Sequence, residues 1–349
     1  MEIYNQIRDL AFSLGFADMG CAKIEPLSDS ELSQFRSALE QGFFGSMEYL
    51  ARNGDKREDP TLLLPGAKSI LVFLAPFSAN IELQNSNEEK LRISEFALGS
   101  DYHTVIKTKL YHIANCLDKY MLEKSGVSNF PPNIVNPNFK RYKSLTCRVF
   151  TDSAPVMERN WAVRAGLGFI GKNNFLISKK CGVKNFIGTI ITTIELPYCD
   201  TSSMEYSPDM CGKCTRCLDA CTQNALFAPR KLDARKCLSY KNIEDHSEVE
   251  NAEPYSNPHK WIFGCDDCMN ACPWNRMNYR GWEEFHTNLS LLRSSTSSSN
   301  TQEWANGERR EWWKNLSEEE FDKLFKDSPL HRAGLKKINE TIDKLVDKK

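Results

Sequence analysis

The chain has 349 residues, of which 41% are hydrophobic and 26% are charged. This is the composition of an ordinary globular protein, so it excludes a largely disordered or fibrous chain and allows two or three domains. The 45 Lys and Arg residues nearly balance the 46 Asp and Glu residues, and the resulting net charge of −1 indicates no class of partner.

Neither a targeting signal nor a membrane span is expected. The first residues include the acidic Glu2 and Asp9 and lack the basic, apolar and small-residue segments of a signal peptide. The longest apolar run, residues 70–77, is too short to cross a bilayer. We therefore expect a cytoplasmic protein with no membrane partner. In a reducing cytosol, the thirteen cysteines are expected to bind metal or to carry out redox chemistry rather than to form disulfides.

Helical and strand patterns alternate over the first 200 residues. Apolar residues at helical spacing predict helices over residues 1–20, 28–41, 104–124 and 154–165. Short apolar runs rich in β-branched residues predict strands over 69–76, 148–150, 175–178 and 186–196, and residues 130–139 are predicted to be a loop. The alternation predicts an α/β domain over residues 1–200.

The pattern changes beyond residue 205, where cysteines punctuate short helices and loops up to about residue 275. Residues 294–301 are a low-complexity linker, and Ser317 to Glu320 form a capping box that opens a helix. The predicted fold class is α+β. It comprises an N-terminal α/β domain over 1–200, a ferredoxin-like domain over 201–285, and a linker with a short helical region over 286–349.

Eight of the thirteen cysteines lie between residues 211 and 272. The first four follow the C-x₂-C-x₂-C-x₃-C pattern of iron–sulfur proteins, in which three thiolates bind one cubane cluster and the fourth binds a second cluster. The other four are an isolated cysteine and a group that ends in Cys-Pro. This rule predicts two [4Fe–4S] clusters, one held by Cys211, Cys214, Cys217 and Cys272, the other by Cys221, Cys237, Cys265 and Cys268.

Zinc sites and redox dithiols are the alternatives to iron–sulfur clusters. Zinc favours paired two-cysteine knuckles, which do not explain a triple with two-residue gaps followed by a Cys-Pro. Two departures from the motif remain: Thr222 replaces the usual proline, and Cys237 lies far from its partners, which suggests an insertion. The other cysteines are expected to be core or surface thiols, namely Cys21, Cys116, Cys147, Cys181 and Cys199.

Residues 166–173, GLGFIGKN, match G-x-G-x-x-G and nearly match a P-loop, in which Asn173 would have to be Ser or Thr. Both motifs require a strand, then the loop, then a helix. Here a predicted helix precedes the loop and a predicted strand follows it, so we reject both phosphate sites. The glycines either allow close approach of a cofactor or form a tight turn, and their spacing leaves both open.

Asp152 follows a predicted strand and precedes a predicted helix. With Pro155 in the first turn, the residues alone favour a helix N-cap. A carboxylate at the carboxyl end of a strand is also a common catalytic placement.

Five segments, in this order, resemble the epoxyqueuosine reductase family. They are ISEFALGSDYH (93–103), TDSAPVMERNWAVRAGLGFIGKNNFLI (151–177), CGKCTRCLDAC (211–221), DARKCLSY (233–240) and GCDDCMNACPWN (264–275). Residues 57–60 also fit, and the resemblance covers about residues 1–285. Members of this family are cobalamin and iron–sulfur enzymes that complete queuosine in tRNA, and they are related to reductive dehalogenases.

The resemblance implies that residues 1–200 bind cobalamin and carry the catalytic site. Two clusters would reduce cob(II)alamin to cob(I)alamin, which acts on the epoxide of epoxyqueuosine at the tRNA wobble position. Two electrons and two protons give the alkene of queuosine and water. An acid is needed because an epoxide oxygen is a poor leaving group unless it is protonated. The family's acid corresponds to Asp152, which overturns the N-cap interpretation, and a raised pKa is expected for it.

The resemblance also implies a set of residues that border the corrin, and it gives the glycines of residues 166–173 a reason, since a corrin needs flat backbone nearby. No D-x-H-x-x-G motif accompanies His103, so we expect base-off cobalamin without a histidine ligand. The expected cofactor neighbours are Arg57, His103, Asp152, Lys172, Asn173, Leu176, Ser239 and Asp266.

The implied substrate is a tRNA anticodon stem-loop, from tRNAs for Asp, Asn, His and Tyr, and an external electron donor and a monomeric state are expected. Residues 101–200 contain 14 Lys and Arg against 7 Asp and Glu. A basic segment with interleaved aromatic residues either follows phosphates and stacks a base or is an ordinary solvated loop. Its residues are Phe139, Lys140, Arg141, Tyr142, Lys143 and Arg148.

Many family members continue beyond the segment that corresponds to residues 328–342 into HEAT-like repeats that grip tRNA. We expect one or two such helices here. Three alternatives stay open: a reductive dehalogenase-like cobalamin enzyme, an iron–sulfur electron-transfer protein, and an RNA-binding module with structural clusters.

Overall fold

The structure, a computed structural model, describes residues 2–79, 90–127, 143–198, 210–245, 256–276, 279–292 and 306–345. The predicted loop over 130–139, the linker over 294–301, Cys199 and residues 139–142 of the basic segment lie outside these ranges. The α-helices described are α1 (Glu2–Ser13), α2 (Asp29–Glu40), α3 (Gly54–Glu58), α4 (Tyr102–Lys124), α5 (Glu158–Arg164), α6 (Arg216–Asp219), α7 (Leu238–Ile243), α8 (Asp267–Asn270), α9 (Leu289–Leu292), α10 (Arg310–Asn315), α11 (Glu318–Phe325) and α12 (Leu330–Asp343).

The strands described are β1 (Asp18–Lys23), β2 (Ser69–Pro76), β3 (Arg92–Ile93), β4 (Cys147–Phe150), β5 (Phe169–Ile170), β6 (Leu176–Ile177), β7 (Asn185–Thr192), β8 (Leu226–Ala228), β9 (Lys231–Leu232) and β10 (Trp261–Phe263). Four of them form the main sheet in the order β1-β2-β7-β4, and every neighbouring pair is antiparallel. The mixed helix and strand content agrees with the α+β class. The alternation of helices and strands nevertheless does not give the parallel sheet of an α/β domain.

Strand β2 is buried along its whole length and carries the core on both sides of the sheet. Its side chains alternate between the two faces, as the period of a strand requires. Leu71 and Phe73 pack with α1 and α4 on one face, whereas Ile70 and Val72 pack with α5 and its Trp161 on the other. The sheet is therefore the middle layer between two sets of helices.

Several predicted elements are confirmed and two are corrected. The helix over 28–41 is α2, whose N-cap Ser28 forms a capping box with Glu31, and β2 has the predicted bounds. The helix predicted over 1–20 ends at Ser13 because residues 18–23 pair with β2 as β1. The helix predicted over 154–165 begins only at Glu158.

A third core lies where the C-terminal helices meet the cysteine-rich region. Strand β10 pairs in parallel with β3, and α10, α11 and α12 bury Trp313, Phe321 and Leu335 against them. The predicted capping box at Ser317 and Glu320 is present at the start of α11. The β3–β10 pairing joins the region of the predicted ferredoxin-like domain to residues 92–103, which lead into α4. Among the described residues, no helix is both long enough and apolar enough to cross a membrane.

Candidate active site and thiol-lined cavity

Four cysteines from two segments line one cavity of about 190 Å³. Cys211, Cys214 and Cys217 come from the loop before α6 and from α6 itself, and Cys272 follows α8. These are the four residues that the crossover rule assigns to the first cluster. The structure therefore brings the predicted set together, and the rest of the wall includes Lys172, Asn173, Pro273 and Trp274.

Cysteines of the second predicted set interact through their charges, and two hydrogen bonds join two of the segments that carry them. Burial raises the pKa of the Cys268 thiol, and charges on Cys237 and Cys221 raise it further. Asn242 in α7 accepts from the backbone N–H of Gly264 at 2.8 Å and donates to its carbonyl at 3.0 Å. This pair of hydrogen bonds joins the helix that follows Cys237 to the loop that carries Cys265.

The chemistry of these thiols fits the positively charged metal core of a cluster. Burial raises the pKa of the Cys217 thiol to about 11, and the neighbouring Cys272 and Cys211 add to the shift. Several thiolates at such a site need positive charge from a bound group, which the iron of a [4Fe–4S] cluster supplies. No three Cys, His, Asp or Glu side chains of the described ranges are grouped to hold a single metal ion.

Lys172 and Asn173, expected beside a corrin, border the thiol-lined cavity. The Lys172 ammonium donates to the carbonyl oxygens of Gly212 at 2.6 Å and Cys214 at 2.9 Å. Asn173 is buried, and its amide lies 3.5 Å from the carbonyl oxygen of Cys268. Both side chains therefore contact the cysteine loops.

A cluster of acidic, imidazole and phenol groups lies at the end of β4. Asp152 is two residues beyond that strand, in a left-handed conformation with φ of 57°. Its Oδ2 accepts from the Tyr102 hydroxyl at 2.6 Å and lies 3.3 Å from His103 Nε2. The side chain is 58% exposed, so the carboxylate is open to a substrate.

His103 bridges two carboxylates at the first turn of α4. Its Nδ1 lies 2.8 Å from Asp101 Oδ1, and Asp101 is also the N-cap of the helix. Burial lowers the pKa of His103, but the hydrogen bonds to Asp101 and Asp152 outweigh it and raise the pKa to about 9. The imidazole is therefore protonated at neutral pH and donates from both nitrogens.

The raised pKa expected for Asp152 is wrong. Desolvation alone would raise the pKa, but hydrogen bonds from His103 and Tyr102 outweigh it and hold the pKa below its ordinary value. The raised acid is Glu158, whose pKa reaches about 8 because of burial and of the nearby Asp152 charge. Glu158 accepts from the Asp152 backbone N–H at 2.8 Å. At neutral pH the site thus holds ionised Asp152 between two protonated groups.

Arg57 is buried, and none of the residues that the structure describes gives it an anionic partner. Its exposure is 8%, and its Nε has no hydrogen-bond acceptor in the structure. One guanidinium nitrogen reaches the Tyr49 carbonyl at 3.5 Å, and the group lies 5.8 Å from the centroid of the Phe35 ring. An orphaned buried donor of this kind is suited to an anionic or amide-bearing ligand.

The other expected corrin neighbours are Asp266, Leu176 and Ser239, and each has contacts within the protein. Asp266 is fully buried, accepts from the Glu95 backbone N–H at 2.8 Å, and is bonded to the Ser94 hydroxyl. Leu176 is in the core, and the backbone N–H of Ser239 donates to the Cys237 sulfur. The Asp266 carboxyl is therefore bonded within the protein, and its place beside a corrin stays a prediction.

The glycines of residues 166–173 serve the protein's own packing. Gly166 has φ of 76° just after α5, and a Cβ on Gly168 would collide with the Ile177 carbonyl oxygen across the β5–β6 hairpin. Helix α5 precedes the segment and strand β6 follows it, which is the order on which the rejection of both phosphate motifs rests. This favours the tight-turn interpretation at these positions.

Sequence reasoning missed two groups of this site. The DYH motif, in which Tyr102 stands between Asp101 and His103, could have indicated Tyr102. No sequence pattern indicated Glu158, because its approach to Asp152 depends on the loop between them. Of the basic segment, Lys143 is exposed, and Arg148 donates to the Leu63 carbonyl at 2.7 Å.

Comparison with known proteins identifies two family models. Residues 57–153 match the model described as "Epoxyqueuosine reductase QueG, DUF1730", a range that contains Arg57, His103 and Asp152. Residues 210–275 match the model described as a 4Fe-4S double cluster binding domain, a range that contains all eight predicted ligands.

Similar proteins extend over nearly the whole chain. An epoxyqueuosine reductase from Cyclobacterium marinum is 35% identical over 335 residues, which are 95% of this chain and 94% of that protein. One from Pseudomonas aeruginosa is 33% identical and covers 95% of this chain and 82% of its own length. A crystal structure of epoxyqueuosine reductase with a tRNA-Tyr epoxyqueuosine-modified stem loop has a TM-score of 0.72 at 21% identity, over 98% of this chain and 80% of that chain. The Streptococcus thermophilus structure has a TM-score of 0.71 at 23% identity, over 99% and 80%.

Proposed function

Because this chain belongs to the epoxyqueuosine reductase family, we propose that it is an oxidoreductase that reduces epoxyqueuosine to queuosine at the wobble position of tRNA. The observation that carries the proposal is the juxtaposition of an accessible Asp152 with a protonated His103, in a chain that also brings four thiols together in one cavity. Family membership favours this function over the dehalogenase-like, electron-transfer and RNA-binding alternatives.

Two [4Fe–4S] clusters supply the electrons. The first is held by Cys211, Cys214, Cys217 and Cys272, and the second by Cys221, Cys237, Cys265 and Cys268. The match of residues 210–275 to a double-cluster domain and the thiol-lined cavity support this assignment. We propose the division into residues 1–200, 201–285 and 286–349 on the same basis, with the β3–β10 pairing linking the first two parts.

Cobalamin is the proposed second cofactor, and the residues of the chain fit it. Arg57 has a buried guanidinium whose Nε lacks an acceptor, which suits the phosphate or the amide side chains of a corrinoid. When bound, cobalamin supplies a strongly reducing cobalt centre. Arg57 would hold the cofactor at its periphery, while Asp152 and His103 act on the substrate.

The chain's own contribution to the chemistry is proton delivery. An epoxide oxygen leaves readily only when it gains a proton, so a donor must lie at an accessible position. Asp152 is accessible but ionised, whereas His103 carries a proton on Nε2 that faces Asp152 Oδ2. We propose that this shared proton reaches the epoxide oxygen through Asp152, that Asp101 stabilises the imidazolium, and that the Tyr102 hydroxyl holds the carboxylate in place.

The substrate is proposed to be the anticodon stem-loop of tRNA. Support comes from the family, and from a structural neighbour that is described with a tRNA-Tyr epoxyqueuosine-modified stem loop. Exposed Lys143 lies in the basic segment and would face a phosphate. The tRNAs for Asp, Asn, His and Tyr, an external one-electron donor and a monomeric state complete the proposal.

Nucleoside analysis of tRNA from a strain that lacks this protein tests the proposal. Epoxyqueuosine should accumulate and queuosine should disappear. The wild-type gene should restore queuosine, whereas Asp152→Asn should leave both cofactors bound and restore none. Normal queuosine in the deletion strain would contradict the function, and loss of the cofactor from Asp152→Asn would contradict the catalytic role of that residue.

A further inference from the structure

The Lys172 ammonium is bonded to the loop that carries the first set of thiols. It donates to the carbonyl oxygens of Gly212 and Cys214 at 2.6 and 2.9 Å. The same side chain lines the 190 Å³ cavity together with the four cysteines of that set. A full positive charge is thus placed at the wall of the site proposed for a polyanionic cluster.

The backbone around Lys172 fixes the position of this charge. The Gly171 N–H donates to the Phe175 carbonyl at 2.9 Å, and the Lys172 carbonyl accepts from the Arg230 N–H at 2.9 Å. Lys172 is therefore held between the β5–β6 hairpin and the β8–β9 hairpin. The backbone is fixed by these two bonds, and the ammonium is held at the cavity by the Gly212 and Cys214 carbonyl oxygens.

The second set of thiols has acidic neighbours instead. Asp266 and Asp267 lie between Cys265 and Cys268 in the sequence, and both side chains are buried. Lys241 lies near Cys237, so the second set has two buried carboxylates and one cation around it, whereas the first set has Lys172 at the wall of its cavity.

Reduction of a [4Fe–4S] cluster adds one negative charge, so a nearby cation favours the reduced state and a nearby anion disfavours it. Charge and hydrogen bonding around a cluster are known to set its reduction potential.

We propose that Lys172 is a positioning residue that raises the reduction potential of the cluster held by Cys211, Cys214, Cys217 and Cys272 above that of the other cluster. The inference rests on the proposed presence of two clusters and goes beyond it by ranking them. An electron from the external donor would settle first on the cluster beside Lys172, and the cluster beside Asp266 and Asp267 would be the stronger reductant.

The test is a redox titration of the full chain with both clusters in place, followed by electron paramagnetic resonance. In Lys172→Gln, the reduction step at the higher potential should shift to lower potential, and a shift confined to the step at the lower potential would contradict the proposed ranking. We expect an equilibrium change of about tenfold, which is about 59 mV for a one-electron couple. Lys172→Arg keeps the charge and should stay close to the wild type.

Lys213→Gln is the matched control, because it removes the same charge from the same cysteine loop at an exposed position. Its shift should be about twofold or less, since solvent screens an exposed charge. Iron and sulfide contents are measured for each protein.

Three further outcomes would overturn the proposal, and a fourth would contradict the cofactor assignment on which it rests. Equal shifts in the Lys172→Gln and Lys213→Gln variants, or none in either, would contradict a specific role for Lys172. Loss of half the iron from Lys172→Gln would show that Lys172 only holds the loop. A wild-type chain without clusters would instead contradict the cofactor assignment, which the iron and sulfide contents reveal separately.

Discussion

At the scale of single residues, the Asp152 site combines an ionised carboxylate with a protonated imidazole. Asp152 is accessible and ionised, while His103 is 22% exposed and protonated. Each group shifts the pKa of the other toward its charged form, because a carboxylate next to an imidazolium favours both charges, and Asp101 adds to the effect on His103 and Tyr102 to that on Asp152. The pair therefore holds a proton beside an accessible carboxylate, as the proposed proton delivery requires.

The pH dependence of turnover follows from His103. Its pKa is raised from an ordinary value of 6.5 to about 9, so its charge stabilises the folded protein fully below 6.5 and ceases to do so as the pH rises through about 9. Single-turnover rates should fall over the same upper range. His103→Gln should be slower by about 10²–10⁴-fold and lack this basic limb.

The control for this prediction is His112→Gln, which changes an exposed histidine further along α4. It should keep both the wild-type rate and the wild-type pH profile. A His103→Gln variant with an unchanged basic limb would show that another group supplies the proton.

At the scale of elements, the β5–β6 hairpin depends on a glycine at residue 168. A Cβ there would collide with the Ile177 backbone carbonyl, which cannot move without breaking the hairpin. Gly168→Ala should therefore destabilise the fold by about 1–3 kcal/mol. At Gly54 an added methyl group would point into open space, with no packed neighbour within 4 Å, so Gly54→Ala should be neutral or stabilising by about 0.4–1 kcal/mol.

Urea unfolding midpoints of the two variants measure this difference. Similar midpoints for both would mean that the hairpin adjusts to the extra methyl group. That result would reopen the alternative in which the glycine exists to admit a cofactor.

Elements with a strong local pattern could be predicted from the sequence, and those made by distant partners could not. The apolar run of β2 lies between Gly66 and Pro76, and this local pattern predicted the bounds that the structure confirms, residues 69–76. Strand β1, with the sequence DMGCAK, has no strand pattern of its own. It forms because its backbone pairs with the edge of β2. Local sequence patterns could not predict the antiparallel order of the sheet either.

The candidate site shows the same division. Cysteine spacing predicted which thiols come together at the cavity, because cluster ligation constrains short segments. The placement of Lys172 at the cysteine loop and of Asp266 against Glu95 depends on contacts 40 to 171 residues apart in the chain. Such contacts leave no periodic trace in the sequence.

At the scale of the whole molecule, a buried ion pair joins three parts of the chain. Lys184, just before β7, donates to Glu95 at 2.6 Å, and the Glu95 backbone donates to Asp266 in the cysteine loop. The side chains of Lys184 and Glu95 are 5% and 0% exposed. This network ties the main sheet and residues 92–95 to the segment between Cys265 and Cys268.

Removing one partner of this pair should be costly, because it leaves an uncompensated charge in the interior. Glu95→Gln should lower the free energy of unfolding by about 3–5 kcal/mol. Glu340→Gln, which breaks an exposed pair with Lys336, should change it by about 0.5 kcal/mol or less. Thermal unfolding of both variants with the clusters in place compares them, and equal effects would refute a connecting role for Glu95.

The most direct test of the central claim is conversion of the substrate by the purified chain. The protein carrying both clusters and cobalamin is reduced, incubated with an epoxyqueuosine-modified tRNA stem loop, and the nucleosides are separated and weighed by mass spectrometry. Queuosine should appear in the amount that epoxyqueuosine disappears, with the loss of one oxygen atom. Epoxyqueuosine that stays unchanged in the presence of fully loaded and reduced protein would contradict the account.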